Sequence, residues 1–286
     1  MLLKELKDIK KWLNLYEINN YEIIPNEEYD YVVNVYGSVN LYAKGLKNIE
    51  VKFNEVNGYF NCSYNQLVTL KGCPERVHEN FNCEANELTS LEYCPKIIKK
   101  NFDCSNNRLE TLKGCPAVIN GYFTCSYNEL TTLEYCPTII EKNLFINNNN
   151  LNSLKVFPEI IGGNVDISHN KLKSLEGIIK ELKGNLDCSH NELKLLKDGP
   201  EIVDGVFYCI NNDLTIEELK YLPNIKSDFI SIKYNKNLND LQYITNFKIL
   251  KEKVDTILNI KEEKENLLNI INKEDLFLKK NTINKI

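Results

Sequence analysis

Residues 58–78 read GYFNCSYNQLVTLKGCPERVH, and residues 100–120 read KNFDCSNNRLETLKGCPAVIN. Both are copies of one 21-residue unit, in which we number Gly58 as position 1. Eight full copies cover residues 37–204 without an insertion, and a ninth, shortened copy begins at Gly205. Position 8 is Asn in eight consecutive copies, and position 10 is Leu in nine. A fixed period of this length predicts a solenoid, in which each copy stacks on its neighbours.

Within each copy, the local pattern predicts a short strand followed by an extended return. Positions 3 and 5, such as Phe60 and Cys62, are predicted to point inward, whereas positions 2, 4 and 6 are predicted to point outward. The Asn at position 8 follows the strand, where its amide can bond backbone groups and where Asn tolerates left-handed geometry. Stacked copies would arrange these amides in a ladder. Proline at position 17, such as Pro74, excludes a helix interior, so the return is predicted to be extended or 3₁₀.

These copies resemble the leucine-rich repeat, in its short 21-residue bacterial and phage form with the pattern C-S-x-N-x-L-T-x-L-x-x-C-P. The resemblance covers about two thirds of the chain. It implies an α/β solenoid with a parallel β-sheet on one face, mostly non-helical return segments, an N-terminal helix and hairpin cap, and a C-terminal helical cap. It also implies a recognition scaffold, because repeats of this kind serve many different targets.

Both ends of the chain depart from the repeat and are predicted to be caps, because a solenoid exposes its core at each end. Residues 1–36 are assigned to an N-terminal cap with a helix over 2–18 and two strands in 21–36. Residues 37–225 are assigned to the solenoid, and residues 226–286 to a C-terminal cap and helical appendage. A short helix at 216–221 is predicted to begin with a capping box of Thr215 and Glu218, and another helix is predicted over 262–279. The appendage is either a simple cover or a docking or oligomerising element, and the oligomeric state stays open.

The composition is that of a soluble globular protein, with 43% hydrophobic residues and a net charge of −5. Both signs of charge are spread along the chain, so no basic patch predicts nucleic-acid binding. Charged residues interrupt the opening MLLKELKDIKK, which argues against a secretory signal peptide, and no segment has the roughly 18 apolar residues of a membrane span. The abundance of Lys, Asn and Ile over Arg and Ala is typical of an AT-rich genome, such as that of a low-GC bacterium or its phage.

The ten cysteines are predicted to pack in the core as reduced thiols. Ile146 and Ile167 replace Cys at position 5, which indicates a buried apolar site. The sequence has no C-x-x-C pair, so the usual zinc spacing is absent, and neither a metal nor another cofactor is predicted. Columns of neighbouring thiols favour a reducing compartment. We therefore expect a cytoplasmic location, in the bacterial host cytosol if the chain is phage-encoded.

The outward strand positions are the predicted binding surface. Tyrosine offers a large contact area with a small loss of entropy, although these tyrosines would equally serve to cover adjacent backbone. The predicted contact residues on the sheet face are Tyr59, Asn61, Ser63, Tyr64, Asn82, Asp103, Tyr122, Thr124, Ser126, Tyr127, Phe145, Asp166 and Asp187.

Two neighbouring copies, NVDISHN (164–170) and NLDCSHN (185–191), form a candidate polar cluster. They place Asp166 beside Asp187, and the cluster also holds Ser168, Ser189, His169 and His190. Like carboxylates on adjacent strands repel, which would raise a pKa or favour a bound cation. The same residue types occur in hydrolases, but duplication of one repeat explains them as well. His169 lies beyond its strand and need not face the two aspartates.

The sequence lacks the common catalytic motifs G-x-S-x-G, H-E-x-x-H and the Walker-type loop. We therefore expect a non-enzymatic binding protein that recognises a protein partner through the sheet face. The resemblance to phage repeat proteins implies a host or defence factor as the target that is bound or inhibited. Three alternatives stay open: sequestration of a small nucleotide-like ligand, a hydrolase centred on Asp166, Asp187 and His169, and a structural or virion-associated component. The shortage of Arg and the acidic balance count against a phosphate ligand.

Overall fold

In the computed structural model, which describes the backbone of residues 2–283 and the side chains of residues 2–269, the repeats form a β-solenoid. The predicted solenoid is therefore confirmed. Its main feature is a continuous parallel sheet of ten two-residue strands, which we call the front sheet. These strands occupy positions 3 and 4 and are Val39–Asn40, Phe60–Asn61, Phe81–Asn82, Phe102–Asp103, Phe123–Thr124, Leu144–Phe145, Val165–Asp166, Leu186–Asp187, Phe207–Tyr208 and Ile230–Ser231.

The return segments are extended, as the prolines predict. Each carries a short strand on the opposite side of the solenoid, mostly at positions 19 and 20. Neighbouring return strands pair in parallel in three separate sheets, which are interrupted before Val118–Ile119 and before Glu181–Leu182. These strands are Phe53–Val56, Arg76–Val77, Ile97–Ile98, Val118–Ile119, Ile139–Ile140, Ile160–Ile161, Glu181–Leu182, Ile202–Val203 and Asn224–Ile225. The repeats are thus more fully β than an α/β solenoid, and the helices lie before and after them.

The core lies between the two sets of strands and is built from the same repeat positions in every turn. Position 3 supplies a stack of phenylalanines, in which the ring centroids of Phe60 and Phe81 are 5.9 Å apart and those of Phe102 and Phe123 are 5.3 Å apart. The leucines at positions 10 and 13 and the cysteines at position 5 are buried beside it. All ten cysteines are free thiols, and burial raises the pKa of thiols such as Cys104 well above the usual range.

The position-8 asparagines form the predicted ladder. Asn107 Nδ2 donates to Cys83 O of the preceding turn at 3.0 Å and to Cys104 O of its own turn at 3.2 Å. Asn107 Oδ1 accepts from the Leu88 N–H of the preceding turn at 3.1 Å. The expectation of left-handed geometry at position 8 is wrong, because that geometry falls one residue earlier: position 7 has a φ of +52 to +56° throughout, as at Asn106. The turn is therefore made at position 7, and position 8 is free to point its amide inward.

The N-terminal cap consists of helix α1 (Leu6–Leu15) and a hairpin of strands β1 (Tyr21–Asn26) and β2 (Asp30–Val35). Trp12 of α1 packs edge-on against Phe53, with ring centroids 6.2 Å apart, so the helix closes the open end of the aromatic stack. Strand β2 also pairs in parallel with Phe53–Val56, which joins the hairpin directly to the return strands.

At the C-terminal end, the front sheet continues through Ile230–Ser231, beyond the boundary predicted at residue 225. Two 3₁₀ helices, Ile216–Tyr221 and Lys236–Tyr243, lead to helix α2 (Phe247–Ile283). The predicted capping box is wrong, because Glu218 Oε2 instead accepts from the Leu196 N–H of the neighbouring turn at 2.9 Å.

Helix α2 is one continuous helix across the stretch predicted over 262–279. It packs on the solenoid through its first turns, where Leu250 and Val254 are buried. Residues 259–269 are all exposed, and the side chains of residues 270–279 lie outside the described residues. Within the described chain, no helix has both the length and the apolar character needed to cross a membrane.

Candidate functional site

The candidate site is the outer surface of the front sheet, where positions 2 and 4 point outward as predicted. The serines at position 6 do not: Ser63, Ser126, Ser168 and Ser189 are all buried, so the expectation that they line the surface is wrong. Each strand spans only positions 3 and 4, so the side chains stop alternating between inside and outside before position 6. The position-6 serine instead folds back under position 4, as where Ser63 Oγ donates to Asn61 Oδ1 at 2.7 Å.

The side chains at position 4 are held in one orientation by their own turn. Oδ1 of Asn61, Asn82 and Asp103 accepts from the backbone N–H two residues later at 2.9–3.0 Å. The second polar atom of each side chain, Nδ2 in the two asparagines and Oδ2 in Asp103, has no partner among the described residues. No buried side-chain polar atom of the described residues lacks a hydrogen bond, so these second atoms face solvent. Asn therefore presents a donor on this surface, and Asp presents an acceptor with a negative charge.

A groove of about 230 Å³ crosses three of these strands. Its walls are Tyr59 and Tyr122, which occupy position 2, and the shorter Asn80 and Asn101 fill the same column between them. Its floor is formed by the position-4 side chains Asn61, Asn82 and Asp103.

Close backbone packing fixes the wall at Tyr122. Asn101 Oδ1 accepts from the Tyr122 N–H at 3.0 Å. A Cβ at Gly121 would collide with that oxygen and with the carbonyl group of Lys100, so a side chain does not fit at Gly121 unless the backbone shifts.

The groove is acidic. Burial raises the pKa of Asp103. Hydrogen bonds from the hydroxyl and the backbone N–H of Ser105 act in the opposite direction but do not outweigh it. At the edge of the groove, burial and the charge of Asp103 likewise raise the pKa of Glu84. The Glu84 carboxylate accepts hydrogen bonds from the Tyr64 hydroxyl and the Asn106 amide. The pKa of Tyr122 is raised by burial and then by these two carboxylates. A cation would relieve the repulsion between Asp103 and Glu84, so the groove favours a positively charged ligand group.

The second acidic pair lies three turns further along. Asp166 and Asp187 are direct partners in neighbouring strands, as the sequence predicts. The pKa of Asp166 is raised first by burial and then by the charge of Asp187. His169 and His190 stack with ring centroids 4.2 Å apart on the ridge at position 7, and His190 Nδ1 is 3.2 Å from Asn211 Nδ2. In the described chain, Ser168 is the hydrogen-bond partner of Asp166, and no hydrogen bond joins it to either histidine.

The remaining predicted residues flank these two acidic centres. Thr124 and Phe145 occupy position 4 between Asp103 and Asp166 and are partly exposed. Tyr64 and Tyr127 stand on the ridge at position 7 and are more than half exposed, rather than lying on the sheet. Sequence reasoning missed Glu84, Asn80 and Asn101. The position-2 column, which reads Tyr, Asn, Asn, Tyr from residue 59 to residue 122, could have shown the groove.

No protein-family model matches the chain, and no curated protein matches it. The site must therefore be interpreted from its own chemistry. Among the residues that the structure describes, no group of three or more His, Cys, Asp or Glu side chains could hold a metal ion.

Proposed function

We propose that this chain is a non-enzymatic leucine-rich-repeat protein that binds a protein partner through the outer surface of the front sheet. The observation that carries the proposal is the tyrosine-walled groove, because aromatic side chains beside ordered polar groups are typical of the centres of protein interfaces. The regular strands hold these side chains on a rigid support, which lowers the entropic cost of binding. By the resemblance of its repeats, the target would be a host or defence factor in the cytosol of a bacterium.

A small nucleotide-like ligand is the weaker candidate. The groove of about 230 Å³ is below the roughly 300–1,000 Å³ typical of small-molecule sites. Its carboxylates would also repel a phosphate group. A broad partner surface that covers the groove and its flanks fits these dimensions better.

The test is capture of partners from a low-GC bacterial lysate with the immobilised full chain. The double variant Tyr59→Ala with Tyr122→Ala removes both walls of the groove. Tyr135→Ala is the matched control, because Tyr135 is 52% exposed on a turn away from the front sheet. We expect at least one protein to be enriched by the parent and by the control but not by the double variant. If every captured protein binds the double variant as well as the parent, the proposal is wrong.

A further inference from the structure

The outer surface of the front sheet carries charge of one sign only. Between residues 37 and 210, the outward positions 2 and 4 hold the carboxylates Asp103, Asp166 and Asp187, and position 6 adds the half-buried Glu84. None of these three positions holds Lys, Arg or His. The chain as a whole has 35 Lys and Arg against 40 Asp and Glu, so the segregation is a property of this surface rather than of the composition. The first lysine on the sheet face, Lys233, lies in the irregular tenth turn. Charge complementarity therefore points to a basic partner.

The spacing of the carboxylates defines the partner further. Asp103 and Asp166 occupy position 4 three turns apart, and neighbouring strands are about 4.8 Å apart, so the two carboxylates are about 14 Å apart. In an extended peptide, residues i and i+4 are about 13 Å apart and point to the same side. Residue i+2 also points to that side and would lie over Thr124 and Phe145.

The orientation of the carboxylates suits this arrangement. Oδ1 of Asp103 is occupied by the N–H and hydroxyl of Ser105, and Oδ1 of Asp166 by those of Ser168. The two Oδ2 atoms have no partner among the described residues and are not buried, so both are open to a ligand at position 4 of their strands. Next to Asp103, the wall of the groove holds Tyr122, whose aromatic ring is of a kind that attracts cations.

We propose that the partner presents an extended segment that lies across the front strands, with basic residues at i and i+4 and an apolar residue at i+2. This inference rests on the proposed function. One basic side chain enters the groove between Tyr59 and Tyr122 and binds Asp103, with Glu84 nearby. The other binds Asp166 beside Asp187. The apolar residue packs on Phe145.

The test uses a labelled peptide, Ser-Arg-Thr-Leu-Thr-Arg-Ser, and fluorescence polarisation with the full chain. The control peptide, Ser-Arg-Thr-Leu-Arg-Thr-Ser, has the same composition, but its second arginine points to the opposite side. We expect the first peptide to bind at least about tenfold more tightly than the control peptide. Tenfold corresponds to about 1.4 kcal/mol, which one charge-assisted hydrogen bond supplies.

Two isosteric variants then locate the contacts. Asp103→Asn and Asp166→Asn retain the Oδ1 acceptor, and Asn occurs naturally at position 4, as at Asn82, so both variants should fold. Each should weaken binding of the first peptide about tenfold, whereas Asp198→Asn, which removes an exposed charge on the return side, should change it less than twofold. Equal binding of the two peptides, no binding of either, or an unchanged affinity in both variants would overturn the inference. A captured protein that needs Tyr59 and Tyr122 but binds Asp103→Asn and Asp166→Asn normally would also overturn it, and would leave the proposed function standing.

Discussion

Replacing Asn128 by Ala removes one member of the asparagine ladder from the middle of the solenoid. Asn128 Oδ1 accepts from the Leu109 N–H at 2.9 Å, and Nδ2 donates to Cys104 O at 3.2 Å and Cys125 O at 3.0 Å. The two carbonyls retain a second ladder amide each, from Asn107 and Asn149. The Leu109 N–H keeps no partner, and a buried unpaired N–H costs about 1–3 kcal/mol. Together with the weakened carbonyl bonds, we expect a loss of about 2–4 kcal/mol in the free energy of unfolding.

Urea unfolding followed by circular dichroism measures the loss, and hydrogen exchange at the Leu109 amide localises it. Asn152→Ala is the control, because Asn152 is exposed and lies outside the ladder. The parent and the control should unfold at the same urea concentration, and in Asn128→Ala the Leu109 amide should exchange much faster than amides several turns away. A loss below about 0.5 kcal/mol, the usual range of surface substitutions, would refute the reasoning that the buried bonds of Asn128 stabilise the solenoid.

Four further predictions concern the groove, its charge, the thiols and the C-terminal helix. Gly121→Ala should destabilise the chain by about 1–3 kcal/mol and weaken partner binding, because its Cβ would collide with Asn101 Oδ1; Gly37→Ala, with nothing within 4 Å of its Cβ, should be near neutral in thermal unfolding. Asp103→Asn should not lower the melting temperature at pH 7. Burial raises the pKa of Asp103, so its ionised form destabilises the folded state and loss of the charge should cost no stability. A clear drop in melting temperature would contradict this. All ten cysteines should react as free thiols after denaturation and slowly in the native protein, and native disulfides found by mass spectrometry would contradict a reducing location. Lys261 lowers the pKa of Glu217 to about 2. This ion pair should therefore stabilise the packing of α2 above pH 4.5 and lose its effect as the pH falls towards 2. If the stability of Glu217→Gln follows that of the parent at every pH, the prediction is wrong.

The repeat period predicts most of the solenoid, because a period of 21 residues constrains every turn in the same way. It correctly places the inward positions 3 and 5, the ladder and the extended return. It hides the tenth turn, because Asn235 takes the place of the ladder Asn two residues late: its Nδ2 donates to Cys209 O at 2.8 Å. A strict period cannot reveal a turn that contains an insertion.

The binding surface is less predictable, because two local effects decide it. The first is strand length: alternation predicts an exposed Ser63, but the strand ends before position 6, and the hydroxyl bonds Asn61 instead. The second is the comparison between turns. The walls of the groove appear only when position 2 is read down the column, where Tyr59 and Tyr122 enclose two shorter residues. Local motifs within one repeat contain neither piece of information.

The ladder also has a direction, and this affects how the chain folds during synthesis. Each position-8 side chain accepts from a backbone N–H of the preceding turn, as Asn65 does from Leu46 and Asn212 does from Leu193. A turn that has just left the ribosome therefore keeps its position-10 N–H unpaired, together with the front-strand N–H groups that donate to the next turn, until that turn is made. Folding should proceed from the N-terminal cap towards the C-terminus, each new turn securing the one before it. A nascent chain halted within the repeats would fray at its last turn only, and the turns behind it would already be in their final form.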